Sequence, residues 1–205
     1  MLKERLTRLI FGQGHRLDTL VQAYVDLERF SGAALVARGG RVLLHKAYGC
    51  ADPGAQTPNT VETAFRIGSL TKPFTAILVM QVAQAGQLEL EDTLALYMPD
   101  YPNAEHITLR HLLSNTSGIP DYIPLPAYEA LMGQPTPPER IVALFRDLPP
   151  QFEPGTGFGY SNSNWVLLTL ILEQVTGRPF AQLLDERIFA PAGMTRSGVN
   201  WQTIA

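Results

Sequence analysis

The chain has 205 residues, 45% of them hydrophobic, which suffices for one large domain or two small ones with a sizeable core. A net charge of −3 with no basic stripe argues against nucleic acid as a partner. The lone cysteine, Cys50, excludes an internal disulfide and is expected to be a small buried hydrophobe.

Residues 1–10 are charged and amphipathic, without the apolar core and small-residue cleavage site of a signal peptide. The expectation is a soluble, cytoplasmic chain, or a periplasmic or extracellular one if a leader has been removed. The longest apolar stretches, near Phe74 to Met80 and Trp165 to Leu172, are too short to span a bilayer. Leu17, Leu20, Val21, Tyr24, Leu27 and Phe30 recur at helical spacing and predict one helix packed by a single face. Two apolar runs, Ala33 to Ala37 and Val42 to Leu44, flank Gly39-Gly40 and predict a hairpin. Because the runs are apolar on consecutive positions, its strands are expected to be covered on both faces.

Residues 50–63 are polar and turn-rich, and read as a loop. A long helix is predicted from about Leu70 to Gly86, with Pro73 in its first turn and Gly86 at its C-terminal cap. Shorter helices are expected over Leu109 to Leu113, capped by Thr108, and over Glu139 to Phe145. Tyr122 to Pro138 is proline-rich and reads as surface loop, or as a stretch whose Tyr122 and Tyr128 line a cleft. Trp165 to Leu172, apolar almost all round, predicts a buried central helix ending near Gly177. Pro179 then opens a helix through Leu183, Leu184 and Ile188.

Two short patterns carry chemistry. Ser69-Leu70-Thr71-Lys72 places a hydroxyl and an amine one helical turn apart on one face. A serine is a weak nucleophile until a base takes its proton, and a lysine amine can be that base where its surroundings disfavour the ammonium. With seven serines and three lysines, chance supplies roughly 0.1 such matches. The plain alternative is a serine cap followed by an ordinary helix lysine. Tyr160-Ser161-Asn162 offers a phenol able to relay a proton and an amide able to donate and accept. It can equally be a buried tyrosine and a helix cap. A second Tyr-x-Asn, Tyr101 to Asn103, lies in a stretch expected to be exposed and ranks below it. His15, His45 and His106 are scattered, so neither metal nor cofactor is expected, and His111 reads as structural. Gly155 to Gly159 reads as a turn before Tyr160, and no G-x-S-x-G elbow surrounds any serine.

These motifs, with His111-Leu112-Leu113-Ser114-Asn115-Thr116-Ser117-Gly118-Ile119-Pro120 and Pro191-Ala192-Gly193-Met194, resemble successive landmarks of the β-lactamase-related serine hydrolases. That family includes class C β-lactamases, penicillin-binding proteins, D-Ala-D-Ala carboxypeptidases and esterases. The resemblance runs from about Phe30 onward. It implies a mixed α/β (α+β) fold of the β-lactamase/transpeptidase type, a partial antiparallel sheet flanked by helices plus a mostly helical region. Residues 1–66 would form the helix-and-hairpin portion, and residues 67–205 the mostly helical domain carrying both motifs.

By the same resemblance Ser69 is acylated, Lys72 helps activate it, Tyr160 shuttles the proton, and Asn162 positions the substrate amide and the lysine. The Ser69 N–H would be one oxyanion donor. Substrates would be esters, amides or β-lactams, carried by a small molecule or a peptide. Two features depart from the family. No Lys-Thr-Gly or His-x-Gly motif follows Asn162, and Asn115 stands where relatives often have His. The first implies a truncated product, a fragment or one piece of a split enzyme, with the remaining sheet strands absent and the hairpin left with an exposed edge. A C-terminal completing segment would then be a partner. The alternative is a catalytically incomplete remnant or binding module on the same scaffold.

Overall fold

The computed structural model describes residues 2–199, with side chains from residue 12 onward. The chain divides into two compact units, Met1–Arg66 and Ile67–Ala205. The fold is mixed α/β: the named strands lie in the first unit, and the second is built from helices and turns.

In the first unit, helix α1 (Leu2–Asp26) packs on an antiparallel hairpin of β1 (Gly32–Arg38) and β2 (Arg41–Tyr48). Gly39 and Gly40 form the turn, both with positive φ (56° and 74°), as a two-residue hairpin of matching twist requires. Asp18 ties the helix to β2. It accepts from Lys46 Nζ at 2.8 Å and from the Tyr48 hydroxyl at 2.8 Å. The Lys46 bond, and then the Tyr48 bond, hold the Asp18 carboxyl below its usual range. Burial, and then Asp18, push the Tyr48 phenol up to about 12. At Gly14 the helix comes so close that a Cβ would stand 2.6 Å from Leu43 O.

Several expectations for this unit are corrected. The Gly14–Asp18 side of α1 faces the hairpin, so Leu20 and Tyr24 are exposed, and Leu27 and Phe30 lie beyond the helix end. The strands are not covered on both faces: Leu35 is 61% exposed and Val42 53%. One helix can cover only one side of a two-stranded sheet. Residues 50–63 are not all loop, since β3 (Cys50–Asp52) pairs with β4 (Thr57–Pro58). Cys50 on β3 is exposed, not buried.

The second unit is organised around α6 (Asn162–Thr176), which starts after Ser161 and stops at Gly177 with φ 65°. It packs against α2 (Lys72–Gln84), α3 (Leu109–Ser114), α5 (Pro138–Phe145) and α7 (Phe180–Leu184). Leu78, Val79 and Val82 of α2 and Leu167, Leu168, Ile171 and Leu172 of α6 are essentially inaccessible to solvent. Burying a leucine side chain contributes roughly 1.5–3 kcal/mol, so this seam is a main source of the unit's stability. Helix α3 is capped reciprocally: Thr108 Oγ1 accepts from His111 N–H at 3.2 Å, and His111 Nδ1 accepts from Thr108 N–H at 3.2 Å. His111 thus has the structural role expected of it.

The stretch 122–138 is not simply surface loop. It contains the short helix α4 (Pro126–Glu129). Tyr122 meets Tyr128 edge-on at 4.7 Å and stacks on Phe145 at 6.2 Å, so both tyrosines pack against the core. Tyr101 is buried in that core rather than exposed, because its ring fills apolar space there.

Two irregular segments, 115–121 and 151–161, run antiparallel between these helices. Gly155 N–H donates to Thr116 O at 2.8 Å, Gln151 N–H to Gly118 O at 2.8 Å, and Gly159 N–H to Asn115 O at 3.0 Å. Gly118 sits at φ 77°, and a Cβ there would overlap the Phe152 carbonyl oxygen. Gly118→Ala is therefore expected to cost more than about 1–2 kcal/mol, the left-handed penalty alone, before the overlap is counted. A thermal melt of the variant checks this. An unchanged midpoint would mean that the two segments are not held together as described.

Candidate active site

Ser69 lies in a 3₁₀ turn, Gly68–Thr71, that leads directly into α2. A 3₁₀ turn has three residues per turn, so positions i and i+3 eclipse each other more closely than in an α-helix. That geometry brings Lys72 Nζ to 3.0 Å from Ser69 Oγ, to which it donates. The first hydrogen-bonded N–H of the turn is that of Leu70, to Ile67 O at 3.1 Å, and the Ser69 N–H precedes it at the electropositive end.

Tyr160 and Asn162 arrive from the opposite direction along the chain. Tyr160 lies next to the end of the 151–161 segment, and its hydroxyl donates to Ser69 Oγ at 2.9 Å. Both groups are hydroxyls, so the same separation serves with the proton on either oxygen. Asn162 is the first residue of α6, and its Oδ1 accepts from Lys72 Nζ at 2.7 Å. All four residues singled out from the sequence thus form one hydrogen-bonded chain: Tyr160 to Ser69, Ser69 to Lys72, Lys72 to Asn162. Lys72 Nζ also stands 5.0 Å from the Tyr160 ring centroid and 6.0 Å from that of Trp165, within cation–π range.

Ser69 and Tyr160 are exposed, Lys72 and Asn162 half-buried. A reactant therefore has access to the hydroxyls while the amine is enclosed. The hydrogen bond to the Lys72 amine, and then the bond to Ser69, draw the Tyr160 phenol below its ordinary value; burial, and more weakly Asp121, oppose them.

The first turn of α6 is bonded residue by residue to the 115–121 segment. Ser161 N–H donates to Asn115 Oδ1 at 3.3 Å, and Ser163 Oγ donates to Pro120 O at 2.6 Å. Asn164 Nδ2 donates to Asn115 Oδ1 at 3.2 Å, and Ser117 Oγ donates to Asn164 Oδ1 at 2.7 Å. Asp121 accepts from Asn162 N–H at 3.0 Å and from Asn162 Nδ2 at 3.1 Å on each carboxylate oxygen. Ser117, Ser161, Ser163 and Asn164 are at most 1% exposed.

Sequence reasoning missed Asp121, Ser117 and Asn164 and took Asn115 only as a departure from a family pattern. Asn115 in fact closes α3 at φ 56° and holds the Tyr160 segment through both its main chain and its side chain. A signal was present. Four polar residues, Ser161 to Asn164, precede the largely apolar run Trp165 to Leu172, more than a single cap requires. The rival Tyr101 and Asn103 take no part: Tyr101 is buried, and burial raises its phenol well above the usual range.

The chain is 34% identical over 189 residues to Penicillin-binding protein 4* of Bacillus subtilis (strain 168), covering 89% of this chain and 41% of that protein. It is 31% identical to a solved penicillin-binding protein from Bacillus halodurans, with a TM-score of 0.77 over 86% of this chain and 56% of the other. It is likewise 31% identical to a D-amino acid amidase from Ochrobactrum anthropi SV3, with a TM-score of 0.75 over 87% of this chain and 50% of the other. The chain thus spans less than half the length of the first curated relative it matches. With residues 17–205 matching the Beta-lactamase family model, the chain belongs to the β-lactamase and penicillin-binding-protein family of serine hydrolases.

Proposed function

We propose that the chain carries the acylation centre of a serine hydrolase, with Ser69 as nucleophile toward esters, amides or β-lactams. The observation that supports it best is Ser69 Oγ, exposed and contacted at once by Tyr160 Oη at 2.9 Å and Lys72 Nζ at 3.0 Å. Similarity to a D-amino acid amidase adds weight to the amide class.

In the proposed step the Ser69 Oγ–H proton passes to the Tyr160 phenolate as the Oγ–C bond forms. The carbonyl π electrons move onto oxygen, and the Ser69 N–H stabilises that oxyanion. Collapse breaks the bond to the leaving nitrogen or oxygen, which takes the proton from Tyr160, and the acyl group stays on Ser69. Water repeats the sequence to release the acid. Lys72 favours the phenolate by its positive charge, and Asn162 holds Lys72 and positions the substrate amide.

Incubation with a penicillin, and separately with an activated ester, is expected to add the acyl mass to Ser69, read by intact-protein and peptide mass spectrometry. Ser69→Ala abolishes the adduct, and Lys72→Ala slows its formation by about 10²–10⁴-fold, the usual span for losing proton-transfer assistance. Decay of the adduct shows turnover. A folded wild-type chain that takes no label overturns the proposal.

The pH dependence has a definite sign. Because the Tyr160 phenol lies below its ordinary value, its basic form is present from a lower pH than that of a free phenol. The acylation rate is expected to rise with pH to a plateau whose midpoint falls below about 10, the ordinary phenol value. Lys72→Met moves the tyrosinate absorbance change assigned by Tyr160→Phe to higher pH. No movement would remove Lys72 as the cause.

A further inference from the structure

We propose that Asp121 is a positioning residue of the acylation centre: its carboxylate fixes the orientation of the Asn162 amide so that Oδ1, and not the NH₂ group, meets Lys72. This rests on the proposed role of Ser69 only in so far as the orientation is read through acylation.

An ionised carboxylate can only accept hydrogen bonds, and an amide carries an acceptor on one side and donors on the other. Asp121 takes the Asn162 side-chain NH₂ on both of its oxygens, at 3.1 Å each. The amide oxygen is thereby directed to the opposite side, where Lys72 Nζ donates to it at 2.7 Å. The flipped amide would press its oxygen against two carboxylate oxygens and its NH₂ against the lysine. Both contacts are repulsive, so the carboxylate and the lysine select the same orientation. An alanine or a leucine at position 121 would leave the lysine alone to hold that orientation.

Asp121 is itself held firmly. Oδ1 also accepts the Asn162 backbone N–H at 3.0 Å, and more distantly the Ile123 N–H at 3.4 Å. On one side the Pro120 carbonyl is bonded by Ser163 Oγ at 2.6 Å, and on the other Tyr122 is fixed by Tyr128 and Phe145. The carboxylate therefore reaches Ser69 through two links, the Asn162 amide and Lys72, without touching it. Its charge is also felt at the Tyr160 phenol, which it raises slightly against the larger effect of Lys72.

The competing role is a plain helix-end contact, since Asp121 places negative charge at the N-terminus of α6. A double-mutant cycle separates the two. Asp121→Ala is expected to lower the Ser69 acylation rate by about 10–100-fold, the scale of a small misplacement of catalytic groups, with little change in KM. In an Asn162→Ala background the backbone N–H contact persists but there is no amide to orient. There Asp121→Ala should change the rate by less than about twofold, because the two residues act as one unit. Losses that multiply in the double variant would overturn the proposal. Asp121→Asn keeps the volume and one acceptor, and serves in the same cycle if the alanine variant does not melt cooperatively.

A second readout needs no activity. In the ¹⁵N–¹H spectrum of the 205-residue chain, the Asn162 side-chain amide, assigned by Asn162→Ala, should be protected from exchange. It should lose that protection in Asp121→Ala while the Asn164 amide keeps its own. An Asn162 amide that is unchanged in Asp121→Ala overturns the proposal. A folded wild-type chain that is not acylated overturns the reading of Ser69 instead, and the amide spectrum then decides the role of Asp121.

Discussion

A row of partly buried hydrogen bonds joins the first turn of α6 to the segment 115–121, and the geometry of the site follows from it. Ser161, Asn162, Ser163 and Asn164 each bond across to Asn115, Ser117, Pro120 or Asp121. Each such bond adds only about 1 kcal/mol net, whereas a buried polar group left unpaired costs about 1–3 kcal/mol. The row therefore acts less as a source of stability than as a condition of fit. With the two segments docked in this way, Asn162 faces Lys72 and Tyr160 faces Ser69.

Apolar packing supplies the rigidity that the polar row cannot. Helices α2 and α6 meet through fully buried Leu78, Val79, Val82, Leu167, Leu168, Ile171 and Leu172. Lys72 begins the first of these helices and Asn162 the second, so the 2.7 Å contact between them sits at the end of a close-packed seam. Ser69 then needs only a local device. The 3₁₀ turn that precedes α2 sets it over Lys72, and the extended segment before Ser161 delivers Tyr160 from the far side.

The division of exposure within the group has a chemical consequence. The two hydroxyls lie open to solvent, while the amine is enclosed by an amide oxygen and two aromatic rings. Positive charge is thus held at a fixed place beside a phenol that a reactant can approach, and the phenol is drawn toward its basic form. The negative charge of Asp121 lies behind Asn162, where it orients the amide and competes only weakly for Tyr160.

Local chemistry was readable from the residues alone. Gly39-Gly40 marks a turn with two positive φ values, Gly86 and Gly177 stop helices in the left-handed conformation, and Thr108 opens α3, each for reasons contained within a few residues. The Ser69–Lys72 pair belongs to the same class, because positions three apart meet within one turn. Asn162 was found only as part of a three-residue motif. Its partner Asp121 lies 41 residues away, and no periodicity links the two. The outward face of α1, the exposure of Leu35 and Cys50 and the burial of Tyr101 were likewise beyond reach of pattern. Hydrophobic spacing tells which residues can be covered. Which of them are covered, and which carboxylate meets which amide, depends on contacts between segments distant in the chain, and those exist only once the elements have docked.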